Sequence, residues 1–269
     1  MSKKRREIPV FKHPIIETHC HLDYLKDRPL AETLERTQQV NVEKVITIAV
    51  SPDNLATVRE LSEAEPWVYG TQGIHPHEAE TYTDAVEEEI RAHGSDEKIV
   101  AIGEIGLDYF YDHADREVQK DVFRRQLQVA CDLNQPVVIH SREADDDTIA
   151  ILREFESTLK RRGVIHSFTS GPELAQYALD NGWCLGFNGI TSFNKAENVR
   201  DIVRMAPIEQ ILLETDSPFL TPVPYRGREN APFYLPFVAE KIAEVKELPL
   251  EQVISQTYQN SLKTFFPGS

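Results

Sequence analysis

Short apolar runs alternate along the chain with longer stretches in which apolar residues recur at helical spacing. The runs are rich in Val, Ile and Leu, which is typical of strands buried on both faces in a parallel sheet covered by helices. The predicted strands are residues 15–18, 45–50, 68–73, 99–105, 137–140, 163–166, 183–187 and 211–215. The predicted helices are residues 30–39, 55–63, 85–92, 117–133, 148–160, 173–180, 199–205, 235–245 and 250–265.

This alternation of strands and helices predicts an α/β protein folded as a single (β/α)8 barrel. No Gly/Ser-rich or Pro-rich linker divides the sequence, and such barrels typically have about 250 residues. We expect a basic N-terminal extension at residues 1–14 and one barrel domain at residues 15–269. An open, doubly wound sheet is the main alternative fold.

The net charge of the protein limits the kinds of macromolecule that it can bind. The chain has 269 residues, with 29 Lys and Arg against 44 Asp and Glu, a net charge of −15. Hydrophobic residues make up 41% of it, enough for a sizeable core. Because an acidic surface repels polyanions, contact with a nucleic acid has to be local, through bound cations or a small basic loop.

The sequence also bears on the compartment. The apolar runs are far shorter than the roughly 18 residues of a membrane-spanning helix, and the basic residues 3–6 are not followed by the apolar core of a secretory signal. Cys20, Cys131 and Cys184 are scattered, which fits a reducing compartment better than a disulfide framework. We expect a cytoplasmic protein with no membrane association and no obligate protein partner.

Residues of the types that bind metals cluster where the predicted strands end, which is where a barrel of this kind carries its chemistry. His19 and His21 are two residues apart, so both side chains share one face of the first strand. His75 and His77 follow the third strand. The other such residues in or after predicted strands are Glu104, His140, His166 and Asp216.

Each of these residues alone has an ordinary structural explanation. A single strand-end histidine is usually hydrogen-bonded, and Asp216 before Ser217-Pro218 reads as a turn residue. Burial of Glu104 in so apolar a run, however, costs several kcal/mol without a cation or strong donors. It is the combination on five strands that indicates a metal site: His19, His21, Glu104, His140, His166 and Asp216.

Four imidazoles and two carboxylates suffice for two divalent cations if one carboxylate bridges them. Zn²⁺, Mn²⁺, Mg²⁺, Ni²⁺ and Co²⁺ are the candidates, and mixed nitrogen and oxygen ligands suit the transition metals better than an all-oxygen cage for Mg²⁺. Two-metal sites activate water and stabilise the attacking and leaving oxygens of an ester. The pattern therefore predicts a hydrolase.

Five motifs carry a resemblance to a known family, and they occur in order between about residue 15 and residue 265. They are ETHCHLD at 17–23, GIHPH at 73–77, GEIGLDY at 103–109, PVVIHSR at 136–142 and ETDSPFL at 214–220. The sequence resembles the TatD family of metal-dependent deoxyribonucleases, within the amidohydrolase superfamily. This resemblance implies a TIM barrel, a two-metal centre and hydrolysis of DNA phosphodiesters, commonly as a 3′ to 5′ exonuclease acting on single strands or 3′ ends.

The resemblance also implies roles for individual residues. Glu104 bridges the two ions, and His75 contacts the substrate phosphate. Asp216 also orients or deprotonates the attacking water, so that Glu104 and Asp216 are the expected catalytic residues. One ion is assigned to His19, His21, Glu104 and Asp216, and the other to Glu104, His140 and His166.

The sequence departs from the family pattern at three places. Glu17 stands where the family often has Asp, and Ser167 replaces the Cys of a frequent His-Cys-Phe motif. The Gly-Lys-x-Asn-Glu-Pro signature reads GRENAP at 227–232, in which Ala231 lacks the carboxylate. None of these changes removes an expected metal ligand.

Arginines supply candidates for binding the substrate. Arg226 and Arg228, with Tyr225 and Tyr234 nearby, form a small basic and aromatic loop suited to gripping phosphate and stacking a base. Arg142, two residues after His140, is a second phosphate candidate. Its structural alternative is an ion pair with the acidic residues 145–147.

Three other functions compete with a deoxyribonuclease. An amidohydrolase with a carbamylated lysine on the fourth strand is disfavoured, because no lysine lies between residues 99 and 109. An esterase acting on aminoacyl-tRNA or a small ester needs only the same metal centre and stays open. A non-catalytic acidic interaction module is disfavoured, because all six candidate ligands are present.

Overall fold

Eight parallel strands follow one another around a barrel in the order in which they occur in the chain. The computed structural model describes residues 5–268. The strands are β1 (Ile15–Cys20), β2 (Val42–Thr47), β3 (Val68–Gln72), β4 (Ile99–Asp108), β5 (Val137–Arg142), β6 (Gly163–Ile165), β7 (Cys184–Phe187) and β8 (Ile211–Leu213). This sequential order confirms the (β/α)8 barrel and rules out the open, doubly wound sheet.

Helices alternate with the strands and cover the outside of the barrel. Within the described residues, none of them is long and apolar enough to span a bilayer. They are α1 (Leu30–Gln39), α2 (Leu55–Ala64), α3 (Asp84–His93), α4 (Arg116–Leu133), α5 (Asp145–Glu154), α6 (Pro172–Asp180), α7 (Glu197–Met205), α8 (Leu235–Lys246) and α9 (Leu250–Phe265).

The barrel closes where β1 meets β8. The Thr18 hydroxyl donates to the Leu213 carbonyl oxygen at 2.8 Å. Beyond the strand, the Asp216 amide donates to the His19 carbonyl oxygen and the His21 amide donates to the Ser217 carbonyl oxygen, both at 2.8 Å. These bonds bring the ends of the first and last strands together.

The apolar core leaves one end of the barrel to polar side chains. A buried cluster includes residues of seven strands, two of them from β4, and Phe265 and Phe266 close it. Six of them are the first or second residue of their strands: Ile16, Val100, Val138, Val164, Cys184 and Leu212. A larger cluster fills the space between the strands and the helices.

Three elements differ by three or more residues from the boundaries that the sequence predicts. β2 begins and ends three residues earlier than the predicted 45–50, and β4 continues to Asp108 instead of ending at 105. α5 begins at Asp145 instead of residue 148, because acidic residues in the first turn stabilise a helix N-terminus. The same helix ends at Glu154, and the chain then turns, with the Arg162 guanidinium donating to the carbonyl oxygens of Glu156 and Leu159.

The expected N-terminal extension is described from Arg5 onward, and Lys3 and Lys4 lie outside the described residues. Arg6 forms an ion pair with Glu240 of α8, and its carbonyl oxygen accepts a hydrogen bond from the Tyr225 hydroxyl at 2.9 Å. The extension therefore packs against α8 and the segment that follows β8.

Gly106 offers a test of how tightly β4 and β5 approach each other. Its φ is 142°, and a Cβ there would lie 1.9 Å from the carbonyl oxygen of His140. Gly182 has a φ of 78° but no atom within 4 Å of such a Cβ. We expect Gly106→Ala to lower the free energy of unfolding by at least about 3 kcal/mol, since strain and overpacking add. Gly182→Ala is expected to lower it by only about 1–2 kcal/mol. If urea denaturation showed equal losses of unfolding free energy in the two variants, this close approach of β4 and β5 would be contradicted.

Candidate metal centre

Glu104 of β4 lies at the middle of a group of imidazoles. Its side chain is only 3% exposed. The imidazole nitrogens that approach its carboxylate are those of His166 at 2.7 Å, His140 at 3.0 Å, His19 at 3.3 Å and His75 at 3.4 Å. Burial opposes ionisation of this carboxyl, but the surrounding imidazoles outweigh it and hold the pKa of Glu104 well below its usual range.

Asp216 completes the side of the group that β1 and β8 build. Its Oδ1 lies 3.4 Å from His21 Nε2 and 3.6 Å from His19 Nε2. Burial opposes ionisation of Asp216, yet the hydrogen bond from His21 and the proximity of His19 lower its pKa. The side chain is 14% exposed, so Asp216 is an ionised carboxylate that solvent reaches.

His140 and His166 build the opposite side, from β5 and the residue after β6. His140 Nδ1 and His166 Nε2 both face Glu104 Oε1, and they lie 3.4 Å from each other. The His166 ring is stacked on that of His19, with centroids 3.8 Å apart and an interplanar angle of 2°. The two sides therefore form one continuous set of donor atoms around the Glu104 carboxylate.

Asp108 is a site residue that the sequence analysis missed. Its buried carboxylate Oδ2 lies 2.8 Å from His140 Nε2 and 3.0 Å from His77 Nε2. This contact turns the other nitrogen of His140, Nδ1, toward Glu104. Residues 104 and 108 would share one face of a regular strand, but the predicted strand ends at residue 105, so the spacing alone did not indicate Asp108.

Glu17 and Glu214 form a fully buried layer beneath the histidines. Glu17 Oε1 accepts from the amides of Thr215 at 2.9 Å and His19 at 3.1 Å, and burial raises the pKa of Glu17 to about 8. Glu214 Oε1 accepts from the Ser167 amide. Each of these glutamates precedes a candidate ligand by two residues, a period-two signal that the sequence carries.

His75 presents a neutral N–H group to the same cluster. Its Nδ1 accepts a hydrogen bond from the His77 amide at 3.0 Å, so in the neutral ring the proton is on Nε2. That Nε2 points toward Glu104. Burial lowers the pKa of His75 to about 4, and the ring is therefore neutral at pH 7.

Arg142, the last residue of β5, lies beside the cluster. Its guanidinium carbon is 4.0 Å from the centroid of the Phe110 ring and 5.0 Å from that of Tyr111. The guanidinium is thus held on two aromatic faces two residues beyond His140.

The loop between β8 and α8 carries the other predicted phosphate-binding residues. Arg226 and Arg228 are exposed, and the Arg226 guanidinium carbon lies 3.6 Å from the centroid of the Phe193 ring. Tyr234 is only 2% exposed and packs against Tyr225. The expectation that Tyr234 is available to stack a base is therefore wrong, because its ring belongs to the core.

The donor atoms of this cluster fit divalent cations. Both ring nitrogens of His19, Nδ1 of His21 and of His166, Oε2 of Glu17 and Oε2 of Glu214 are buried without a hydrogen-bond partner, an arrangement that is costly unless a cation engages such atoms. Three groups each bring their donor atoms within 4.8 Å of one another: His19 with His21 and Glu104, His19 with His166 and Glu214, and His75 with Glu104 and His140. Glu214 thus lies close to the predicted ligands His19 and His166, whereas His75 presents its Nε2–H to the third group.

The sequence matches known proteins over nearly its whole length. A family model described as TatD related DNase matches residues 16–266. The chain is 36% identical over 252 residues to a protein of Bacillus subtilis (strain 168) described as the uncharacterized metal-dependent hydrolase YabD, covering 93% of this chain and 98% of that protein. It is 35% identical over 255 residues to YcfH of Escherichia coli (strain K12), described in the same terms, covering 93% and 95%.

A solved structure shares the fold and the sequence similarity. The crystal structure of YJJV, a TatD homolog from Escherichia coli K12, matches with a TM-score of 0.87 and 30% identity. The match covers 93% of this chain and 97% of that one.

Asp108 provides a test of how the histidines are held. We expect Asp108→Asn to weaken metal affinity by roughly 10- to 100-fold, because the carboxylate that orients His140 is lost while the Oδ1 acceptor for the loop amides is kept. Competition with a chromophoric chelator measures this affinity. Asp112→Asn, which changes an exposed acid paired with Arg116, is the matched control. Equal affinities in the two variants would refute the positioning role.

Proposed function

The chain belongs to the TatD family of metal-dependent hydrolases, and from this premise we propose that it hydrolyses phosphodiester bonds of DNA as a 3′ to 5′ exonuclease. The observation that carries the proposal is the position of Glu104 between two sets of donors. His19, His21 and Asp216 lie on one side of its carboxylate, and His140 and His166 lie on the other. A carboxylate shared in this way suits the two-metal centres that cleave phosphodiesters.

The residues that would hold the ions follow from this arrangement. His19, His21, Glu104 and Asp216 would hold one divalent ion, and Glu104, His140 and His166 the other. When bound, two such ions supply Lewis acidity that activates water and stabilises charge on the attacking and leaving oxygens.

We propose that Asp216 takes the proton of the attacking water. It is ionised and more exposed than Glu104 or His19, so water reaches its carboxylate. The hydrogen bond between the Asp216 amide and the His19 carbonyl oxygen fixes its backbone at the barrel seam. Glu104 is enclosed by imidazoles, and its role is instead to connect the two sets of donors.

Two groups are suited to bind the substrate phosphate. The Nε2–H of His75 donates toward the centre from the β3 side, and a neutral donor there stabilises a phosphate oxygen without competing for the cations. Arg142 adds a positive charge beside His140, already oriented by the rings of Phe110 and Tyr111. Arg226 and Arg228 would contact phosphates further from the centre.

We propose the cytoplasm as the compartment of this activity. Cys20, Cys131 and Cys184 are all free thiols, as a reducing compartment keeps them.

Cleavage of a single-stranded DNA oligonucleotide with a 5′ label tests the proposed reaction. With Mn²⁺ or Mg²⁺ we expect a ladder that shortens from the 3′ end, and excess chelator should abolish it. An oligonucleotide that stays intact with every metal would reject DNA as the substrate. Release of the amino acid from aminoacyl-tRNA by the same preparation would then assign the centre to ester hydrolysis.

Two substitutions test the proposed centre. Glu104→Ala and Asp216→Ala should each abolish hydrolysis, because the first removes the shared carboxylate and the second removes the proton acceptor. Circular dichroism should show both variants folded. The exposed acids Asp121 of α4 and Glu251 of α9 supply matched controls, and their alanine variants should keep wild-type turnover. Wild-type turnover in either folded, metal-loaded site variant would refute the mechanism.

A further inference from the structure

Exposed aromatic rings occur at one end of the barrel. The chain has 12 Phe, 9 Tyr and 2 Trp, all of them among the described residues, and only three are about half exposed: Phe110 at 49%, Tyr111 at 52% and Phe219 at 52%. Phe110 and Tyr111 follow β4, and Phe219 follows β8. An exposed aromatic ring does not gain the free energy that burial would provide. The location of these three rings beside the candidate metal centre therefore indicates a surface that binds a ligand.

Phe110 and Tyr111 form a rigid pair, which we name the β4 platform. Their rings meet edge to face with centroids 4.8 Å apart. Both backbone amides donate to Asp108 Oδ1, at 3.1 and 2.9 Å. Arg142 packs on both rings, and Tyr111 lies 5.3 Å from the ring of His77. The platform therefore stands at the β5 side of the centre, connected to His140 through Asp108.

Phe219 stands at the opposite, β1 and β8 side. Its amide donates to the Asp216 carbonyl oxygen at 3.0 Å, and its carbonyl oxygen accepts from Asn230 Nδ2 at 2.6 Å. The centroid of its ring lies 6.2 Å from that of His21. Two aromatic surfaces thus flank Glu104, one adjoining each set of metal-ligand candidates.

We propose that the β4 platform and Phe219 stack unpaired nucleobases on the two sides of the scissile phosphate. This inference rests on the proposed function and adds to it the residues that contact the bases. Because a chain of net charge −15 has little cationic surface to neutralise phosphates, stacking supplies much of the affinity. Aromatic rings stack every base, so recognition is tolerant of sequence.

Kinetics on a single-stranded DNA oligonucleotide test the inference with the metal-loaded enzyme. Phe219→Ala and the double variant Phe110→Ala/Tyr111→Ala should each raise KM by roughly 5- to 150-fold and leave kcat within about twofold. Met205→Ala, which removes a side chain 37% exposed on α7, is the matched control and should change neither constant. An unchanged KM in both aromatic variants would overturn the inference.

A substrate without bases separates stacking from a general disturbance of the site. With an oligonucleotide whose two 3′-terminal nucleotides are abasic, the KM of the wild-type enzyme should rise by about the product of the factors found for the two aromatic variants, because both stacked bases are missing. On this substrate, the KM of the aromatic variants should exceed that of the wild-type enzyme only slightly, because the base that each ring would stack is already absent. If the substitutions raise KM on the abasic substrate by the same factor as on the normal one, the rings act through something other than bases and the inference fails.

Fluorescence of 2-aminopurine at the 3′ terminus reports stacking independently of hydrolysis. In excess chelator, wild-type protein should quench the probe, and the aromatic variant that lacks the surface for the terminal base should not. Quenching without cleavage by the metal-loaded enzyme would reject the proposed nuclease function and keep the base-binding surfaces. Cleavage without quenching would reject the base-binding surfaces and keep the nuclease function. Quenching by an RNA ending in CCA, with none by DNA, would overturn the assignment to DNA.

Discussion

The buried carboxylate of Glu104 is the constraint on which the site depends. A negative charge this far from water is tolerated only when positive or donor groups surround it, and the barrel supplies them from several strands. β1 brings His19, the loop after β3 brings His75, β5 brings His140 and the end of β6 brings His166. The parallel arrangement makes this convergence possible, since all carboxyl ends reach one mouth.

Period-two spacing and strand ends explain how much was predictable. The barrel follows from the alternation of apolar runs with helical segments. The candidate ligands, such as His19, His21 and Asp216, follow from their positions at the ends of those runs. Asp108 could not be assigned, because its contact with His140 depends on how far β4 extends beside β5 and on which ring nitrogen turns outward. Burial of Tyr234 likewise depends on how the segment after β8 folds back on α8, which local sequence does not encode.

An acidic protein can act on a polyanion when the attraction is confined to the point of reaction. The carboxylates at the centre are matched by imidazoles and would be matched further by cations. The guanidinium of Arg142 is held against rings, so little side-chain entropy remains to be lost on binding. Away from the mouth, the excess negative charge opposes nonspecific adsorption along nucleic acid.

The seam between β1 and β8 has a consequence for biosynthesis. Glu17, buried near the start of the chain, takes the amide of Thr215 as a partner, and His19 meets Asp216 across the same seam. On the ribosome, β1 is synthesised long before β8, so these contacts form only after β8 and Asp216 have emerged. A polypeptide released before β8 therefore has His19 and His21 without the carboxylate of Asp216.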